Sequence, residues 1–595
     1  MLYSKHRDTD SVAESTRPLR FGVMCAANGL TEFARKCIQN ITKDGLATPV
    51  LLIIDESAEL PSSLSTKLRK SIRLDGNLWH LQQKLLPTAS IPAYQIQPLD
   101  ECMGGVARMS CKPERKGKWS QYFRAEDIAQ MQAHHLDFIL KFGFGIIRGA
   151  VLQSARYGVW SFHHDDEEKY RGGPPGFWEV YHGDPVTGAL LQRLNDRLDG
   201  GMVLYKCFVP TNGASHRANL QRIQDCSWHM VRWACLDVLQ GRVDAFHAEP
   251  SKTKAPIYRA PKDFQVLRFW LRLAGNWVRQ KLAYQRIDEW NIGLVNQPPR
   301  AFLDPHFKPE IHWSAYKEAG QMVADPFPIS ETDPARILVE EFNWSTEKGR
   351  ISELRTNGAE TTITPVIDEG LHMSYPYTFR HDGVTYAIPE SDEAKSVFLY
   401  RLDEATGHWS KEAVLLEGVS ALDATVFEHN GRWWLLCSAN DTGCGPWSLF
   451  VWHAPALRGP WQPHIANPVK TNVTSSRPAG NPFQYNGSLY RPSQDNRKTY
   501  GGALCLNRID ELSVEFFRES PVRSVAPDPN GPYPDGMHTL SGNEQFSVID
   551  GKRHTWPLGL LLRRQFSKRL GLKPPGFTYA KVKPVNPAGQ RTPTS

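Results

Sequence analysis

Apolar residues in this chain follow two rhythms. From Leu19 to about residue 250, short apolar runs alternate with stretches of helical period. Leu19–Cys25 reads as a first strand and Gly29–Ile41 as a helix. Pro49-Val-Leu-Leu-Ile-Ile54 is apolar throughout, the mark of a strand buried on both faces. A helix is expected over Ala125–Leu136, short strands over Phe138–Leu140 and Gly158–Phe162, and a helix over Pro175–Tyr181 after a Gly/Pro turn. Strands alternating with helices predict an open, mainly parallel α/β sheet. Ligands of such sheets sit beyond the carboxyl ends of the strands.

Ser251-Lys-Thr-Lys-Ala-Pro256 reads as a linker, and Asp263–Gln285 as one basic amphipathic helix. Two readings of that helix stay open: a connector packed between domains, or a membrane-surface helix with snorkelling basic side chains. Beyond it the chain turns to short β-like runs rich in Trp, Tyr, Gly, Asn and Pro. Asp382-Gly383, Asn430-Gly431, Asn486-Gly487 and Asp550-Gly551 are each flanked by apolar or aromatic runs, and Tyr386, Trp434, Tyr490 and His554 follow them at a constant offset. Asn-Gly and Asp-Gly favour two-residue hairpin turns, which need positive φ at both positions. Their spacing of roughly 50–60 residues is that of propeller blades. An earlier unit fits Asp325-Pro-Phe-Pro328 with Ile337–Ile351, and Trp290-Asn-Ile-Gly-Leu294 supplies a strand to close the ring. The expected plan is a loose segment 1–18, an α/β domain 19–250, linker and helix 251–286, a five-bladed β-propeller 287–560 and a basic tail 561–595.

Composition narrows the class. A chain of 595 residues with 41% hydrophobic residues and 18 Trp can build several large cores. A net charge of +7 is too diffuse to indicate nucleic acid. Ten cysteines without CxxC or zinc spacing suggest reduced thiols. No apolar run reaches the roughly 18–20 residues of a membrane span, and the start shows no signal-peptide core. A cytoplasmic location is expected.

The candidate chemistry lies at Ser161-Phe-His-His-Asp-Asp-Glu-Glu168, then Tyr170-Arg-Gly-Gly-Pro-Pro-Gly176, Asp184-Pro-Val-Thr-Gly188 and Arg197-Leu-Asp-Gly-Gly201. A histidine at a strand end suits proton transfer near neutral pH. This order resembles the N10-formyltetrahydrofolate-dependent formyltransferases, which include methionyl-tRNA and sugar formyltransferases, over roughly residues 19–250. The resemblance implies a Rossmann-like domain and a catalytic set at Ser161, His163 and Asp199. Serine stands where the family has asparagine, and His164 or a water would fill the gap. It implies cofactor contacts at Gly145, Ile146, Ile147, Arg171, Gly172 and Gly173, with N10-formyltetrahydrofolate as formyl donor and no metal. The family's apolar loop after the histidine is replaced by Asp165–Glu168, an acidic loop expected to attract an amine and repel tRNA.

The second half resembles family 43 glycosidases and, more closely, the N-terminal domain of plant glucosamine inositolphosphorylceramide transferases. The resemblance rests on Ser374-Tyr-Pro-Tyr377, Ile388-Pro-Glu390, Leu422-Asp-Ala-Thr425, Arg477-Pro-Ala-Gly-Asn481 and Met537-His-Thr-Leu540, among others. It implies a carbohydrate-facing axial cavity with Asp325, Glu390, Asp423 and Arg477 as substrate residues. Glycosidase chemistry needs two flanking carboxylates, and the segment near Arg477 offers no general-acid glutamate.

Together these readings predict formyl transfer to the amine of a nucleotide-, glycan- or lipid-linked amino sugar that the propeller recruits. The alternative is a glycan-binding or glycan-processing propeller carrying a non-catalytic formyltransferase-like domain. Neither reading calls for nucleic acid or an integral membrane anchor. Peripheral membrane contact and self-association stay open.

Overall fold

The protein was studied as a computed structural model that describes residues 17–57, 76–117, 120–197, 200–247, 249–283, 286–316, 318, 320–356, 361–440 and 442–556. The expected basic tail 561–595 and nearly all of the expected N-terminal segment lie outside these residues. The chain divides into two compact units, Met1–Trp277 and Val278–Ser595, so the division falls inside the helix Asp263–Ala283.

The first unit is built on a seven-stranded sheet: β1 (Leu19–Ala26), β2 (Ala47–Asp55), β3 (Ala107–Cys111), β4 (Phe138–Lys141), β5 (Val159–His163), β6 (Val186–Arg193) and β7 (Met202–Pro210). The spatial order is β7-β6-β5-β4-β1-β2-β3. β1 to β5 run parallel, β6 pairs antiparallel with β5, and β7 pairs antiparallel with β6. Helix α1 (Glu32–Thr42) starts later than expected because Leu30–Thr31 pairs with Ile96–Gln97. The Thr31 side chain then accepts the Ala34 amide as N-cap. α1 buries Phe33, Cys37, Ile38 and Ile41 at the i, i+4 spacing of an amphipathic helix. The helix Asp263–Ala283 buries Val266 and Phe269, and Phe269 stacks on Phe177 at 4.2 Å.

The second unit is a five-bladed propeller of antiparallel sheets. One blade joins the start of the unit to its end. Ile287–Val295 pairs with Ser547–Thr555, flanked by His312–Trp313 and Leu540–Gly542. The others begin at Gln321, Ser374, Ala421 and Phe483. Three of the four expected turns are two-residue hairpins with positive φ at both residues: Asp382-Gly383, Asn430-Gly431 and Asn486-Gly487. The fourth expectation is corrected. Asp550-Gly551 lies inside the strand Ser547–Thr555, where Asp550 is fully buried. A glycine is needed there because a Cβ would come within 2.3 Å of the Trp313 ring.

None of the ten cysteines is in a disulfide. Among the described residues, no helix is long and apolar enough to cross a membrane.

Candidate functional sites

β5 brings Ser161 and His163 to one face of the sheet, because side chains alternate along a strand. His163 closes the strand at the carboxyl edge and is 9% exposed. Its Nε2 lies 3.2 Å from the Tyr170 carbonyl oxygen. A carbonyl can only accept, so the bond places the neutral ring's proton on Nε2 and its basic lone pair on Nδ1. Among the described residues, Ser161 Oγ donates only a long 3.5 Å bond, to the Phe162 carbonyl. Asp199 lies outside the described residues.

The structure adds Lys141, which the sequence reading missed. It ends β4 directly beside Ser161 in the parallel register, on the same face. No hydrogen bond or ion pair is formed by its ammonium among the described residues, and burial pulls its pKa down to about 8. The signal was a lysine closing the apolar run Phe138-Ile-Leu140.

Four expectations are corrected in this unit. His164 cannot fill the asparagine's place. It points to the opposite face, packs on Phe162 and Phe33, and burial pushes its pKa down to about 3. The acidic loop is not left open as expected but is largely engaged within the protein. Asp165 is buried and accepts the Gly176 amide at 3.0 Å, while Lys206 sits 2.9 Å from Glu167, 3.2 Å from Glu168 and 3.9 Å from Asp166. Gly172 does allow a close backbone approach, but to this chain's own Tyr258 carbonyl, 2.2 Å from where a Cβ would stand. Gly145 donates its amide to Gln121, and Ile147 is a core residue. Ile146–Arg148 is an edge strand that, among the described residues, pairs with Ser120–Tyr122 alone. Arg171 is buried beside Gly172, and Gly173 precedes a cis proline.

In the propeller, the expected residues Asp325, Glu390 and Arg477 line one cavity of about 420 Å³, and Asp423 backs it through Arg477. Asp325 and Asp423 sit at matching bulges in the first strands of their blades, at φ 51° and 54°. A bulge turns one side chain off the regular alternation, here toward the axis. Two networks result. In one, Asp325 accepts from Thr539 Oγ1 at 2.8 Å and from the Tyr375 amide at 3.2 Å, with His538 Nδ1 3.7 Å away. His538 bonds Asp550, which also accepts the His538 and Thr539 amides at 2.7 and 3.1 Å. Burial outweighs His538 and pushes the Asp325 pKa up to about 6. Asp325, His538 and Asp550 have the composition of a metal site, which the sequence reading did not foresee. Within this set only His538 and Asp550 share a hydrogen bond between side chains; Asp325 is held by Thr539 and the Tyr375 amide. In the second network Arg477 grips Asp423 with two guanidinium nitrogens, Gln494 donates to Asp423 at 2.8 Å, and the Asp423 amide donates to Glu390 at 2.8 Å. Glu390 is held well above the carboxylate range by burial, then by Asp423.

Glu340 also lines the cavity and was not foreseen. Its neighbour Glu341 is bonded to Arg350 and Ser352. Glu340 points the other way, is 7% exposed, and makes no hydrogen bond among the described residues.

Residues 310–532 match the family described as glucosamine inositolphosphorylceramide transferase 1, N-terminal. Over 271 residues the chain is 31% identical to glucosamine inositolphosphorylceramide transferase 1 of Arabidopsis thaliana, covering 42% of this chain and 35% of that protein. The rice counterpart (Oryza sativa subsp. japonica) is 34% identical over 208 residues, covering 34% and 28%. Methionyl-tRNA formyltransferase of Prochlorococcus marinus is 29% identical over 105 residues, 17% of this chain and 31% of that protein. The chain thus spans about a third of the length of the curated relatives it matches. Similar solved structures include glycinamide ribonucleotide transformylase 1 from Symbiobacterium toebii (15% identity, TM-score 0.26, 40% of this chain and 93% of that one). Another is the exo-beta-1,3-galactanase 1,3Gal43A from Clostridium thermocellum (15% identity, TM-score 0.29, 38% and 57%). The chain therefore joins a formyltransferase-type α/β domain to a propeller related to the N-terminal part of glucosamine inositolphosphorylceramide transferases.

Proposed function

We propose that this protein transfers a formyl group from N10-formyltetrahydrofolate to the amine of a nucleotide-, glycan- or lipid-linked amino sugar, and that the propeller recruits the carbohydrate. The observation that carries the reading is His163 at the carboxyl edge of a parallel sheet, with Ser161 and Lys141 on the same face. The attacking amine loses a proton as its nitrogen bonds to the formyl carbon, and His163 accepts it. The carbonyl oxygen becomes an oxyanion, to which Lys141 and Ser161 are the candidate donors. Collapse breaks the bond to the folate N10, and the same proton passes from His163 to that leaving nitrogen. Lys141 thus supplies the donor strength that serine lacks relative to the family's asparagine. The role of Asp199 as orienting acid is carried over from the family alone. The edge strand at Ile146–Arg148 suits a planar pterin through its backbone, whereas the Gly145 amide is already bonded to Gln121.

The test is tetrahydrofolate release from N10-formyltetrahydrofolate by the purified full chain, with nucleotide-linked, glycan and lipid-linked amino sugars as acceptors. Acceptor-dependent release that disappears in His163→Ala supports the reading; release that survives it refutes the mechanism. One observation favours the alternative, a propeller that does sugar chemistry itself: the buried acids gathered around its cavity. Sugar release that persists in His163→Ala and fails in Asp423→Ala would establish that reading instead.

A further inference from the structure

The propeller cavity holds more negative groups than its cations match. Asp325, Glu340, Glu390, Asp423 and Asp550 are all buried at or behind its wall. Arg477 is committed to Asp423, and His538 to Asp550. Among the described residues the basic side chain within 4.0 Å of Glu340 is that of His372, whose pKa burial lowers, which favours the neutral ring; Arg477 favours the ionised Glu340 only from farther away. An unpaired buried carboxylate is costly and ordinarily takes up a proton or a partner. Glu340 is held well above the carboxylate range, by burial first and then by Asp325, Asp423 and Asp550.

We propose that this cavity is an ammonium-recognising site in which Glu340 distinguishes the free amine of an amino sugar from its formamide. The inference rests on the amino-sugar acceptor proposed above and adds what the propeller reads. A sugar ammonium is a compact cation with three donors, and its arrival lets Glu340 release the proton it otherwise holds and accept as a carboxylate. Formylation removes the charge and leaves a single N–H. The unformylated sugar is retained and the formylated one released, so the propeller sorts substrate from product. The field of the cavity also fixes orientation. Phosphate on a nucleotide- or lipid-linked sugar is repelled by these acids and must lie toward the mouth. The wall supplies Phe342, Trp447 and Tyr500 as faces for sugar C–H groups. A metal ion is the rival occupant. Its donors would be Asp325, His538 and Asp550; His538 already bonds Asp550, and Asp325 accepts from Thr539 and the Tyr375 amide, whereas Glu340 does not belong to that cluster.

Calorimetric titration of the full chain with glucosamine, N-formylglucosamine and glucose tests this. Glucosamine is expected to bind at least about tenfold more tightly than the other two, the scale of one charge-assisted hydrogen bond. Glu340→Gln should erase that preference while N-formylglucosamine still binds. Equal binding of the three sugars by the unaltered protein, which needs no variant, overturns the proposal. So does a preference that survives in Glu340→Gln, and so does competitive displacement of glucosamine by calcium ions. Tetrahydrofolate release is read in parallel. Release without amine preference would sink this inference and spare formyl transfer; amine preference without release would do the reverse.

Discussion

His163 and Glu340 are both nearly buried, and each is the most exposed question of its unit, yet the chain assembles them by different means. His163 takes its surroundings from a compact stretch: Ser161 two residues before it, the Tyr170 carbonyl just after it, and Lys141 one strand away. Glu340 takes its surroundings from four blades, through Asp325, Glu390, Arg477 and His538. The first site depends on neighbours that are local and few. The second is a network in which each charge is matched against several others, so single changes there should be felt in stability before they are felt in binding.

The largest test of this contrast is His163→Ala. Loss of a positioned acid–base group should lower tetrahydrofolate release about 10²–10⁴-fold, with little change in melting temperature. A variant that retained wild-type turnover would make the strand edge a relic and leave the propeller as the functional half. Next comes Lys141→Met, expected to lower turnover about 10²-fold if the ammonium stabilises the oxyanion. The sign of the pH dependence follows from its depressed pKa of about 8. The cationic donor exists below that value and is lost above it, so turnover should fall as pH rises through about 8. Lys141→Arg should remove that alkaline fall. Restoring the family's residue with Ser161→Asn in the Lys141→Met background should recover part of the rate. No recovery would separate the two positions.

In the propeller the matching experiment is Arg477→Leu. It leaves Asp423 buried against Glu390 with its main cation gone. Removing one partner of a buried pair costs about 3–5 kcal/mol, far more than the pair itself contributes. Thermal unfolding should show a large loss of stability, and an Arg477→Leu/Asp423→Asn double variant should regain much of it. Equal losses in the single and double variants would mean that packing, not charge, governs the wall.

How far the sequence reading reached follows the same division. The α/β order, the strand ending at His163 and the hairpin repeat were legible because each depends on residues close in sequence. Periodicity shows a strand, and Asn-Gly shows a turn. The reading failed where a side chain's role is set by distant partners. The Asp165–Glu168 run reads in sequence as an open acidic loop, but Lys206, on a strand two positions along the sheet, engages three of its carboxylates, and the Gly176 amide fixes Asp165. Glu340 and Glu341 are indistinguishable as neighbours in sequence. Only the pairing with Arg350 and Ser352 shows which of them is already satisfied.

The smallest effect is also the sharpest check on that lesson, because it sets the same dipeptide in two contexts. Gly431 lies in a true hairpin at φ 70°, with open space around the place of a Cβ. Gly431→Ala should cost only the left-handed backbone penalty, about 1–2 kcal/mol. Gly551 has no positive φ to protect; its added methyl would meet the Trp313 ring at 2.3 Å and Tyr533 Cβ at 2.8 Å. Gly551→Ala should therefore cost about 1–3 kcal/mol through overpacking. Trimming the obstacle with Trp313→Leu should rescue it in a double variant, whereas Gly431→Ala has no neighbour whose trimming could help. If the two glycine variants lost equal stability and Trp313→Leu rescued neither, the Asp550-Gly551 pair would behave as a turn after all. The placement of Asp550 behind His538 would fall with it.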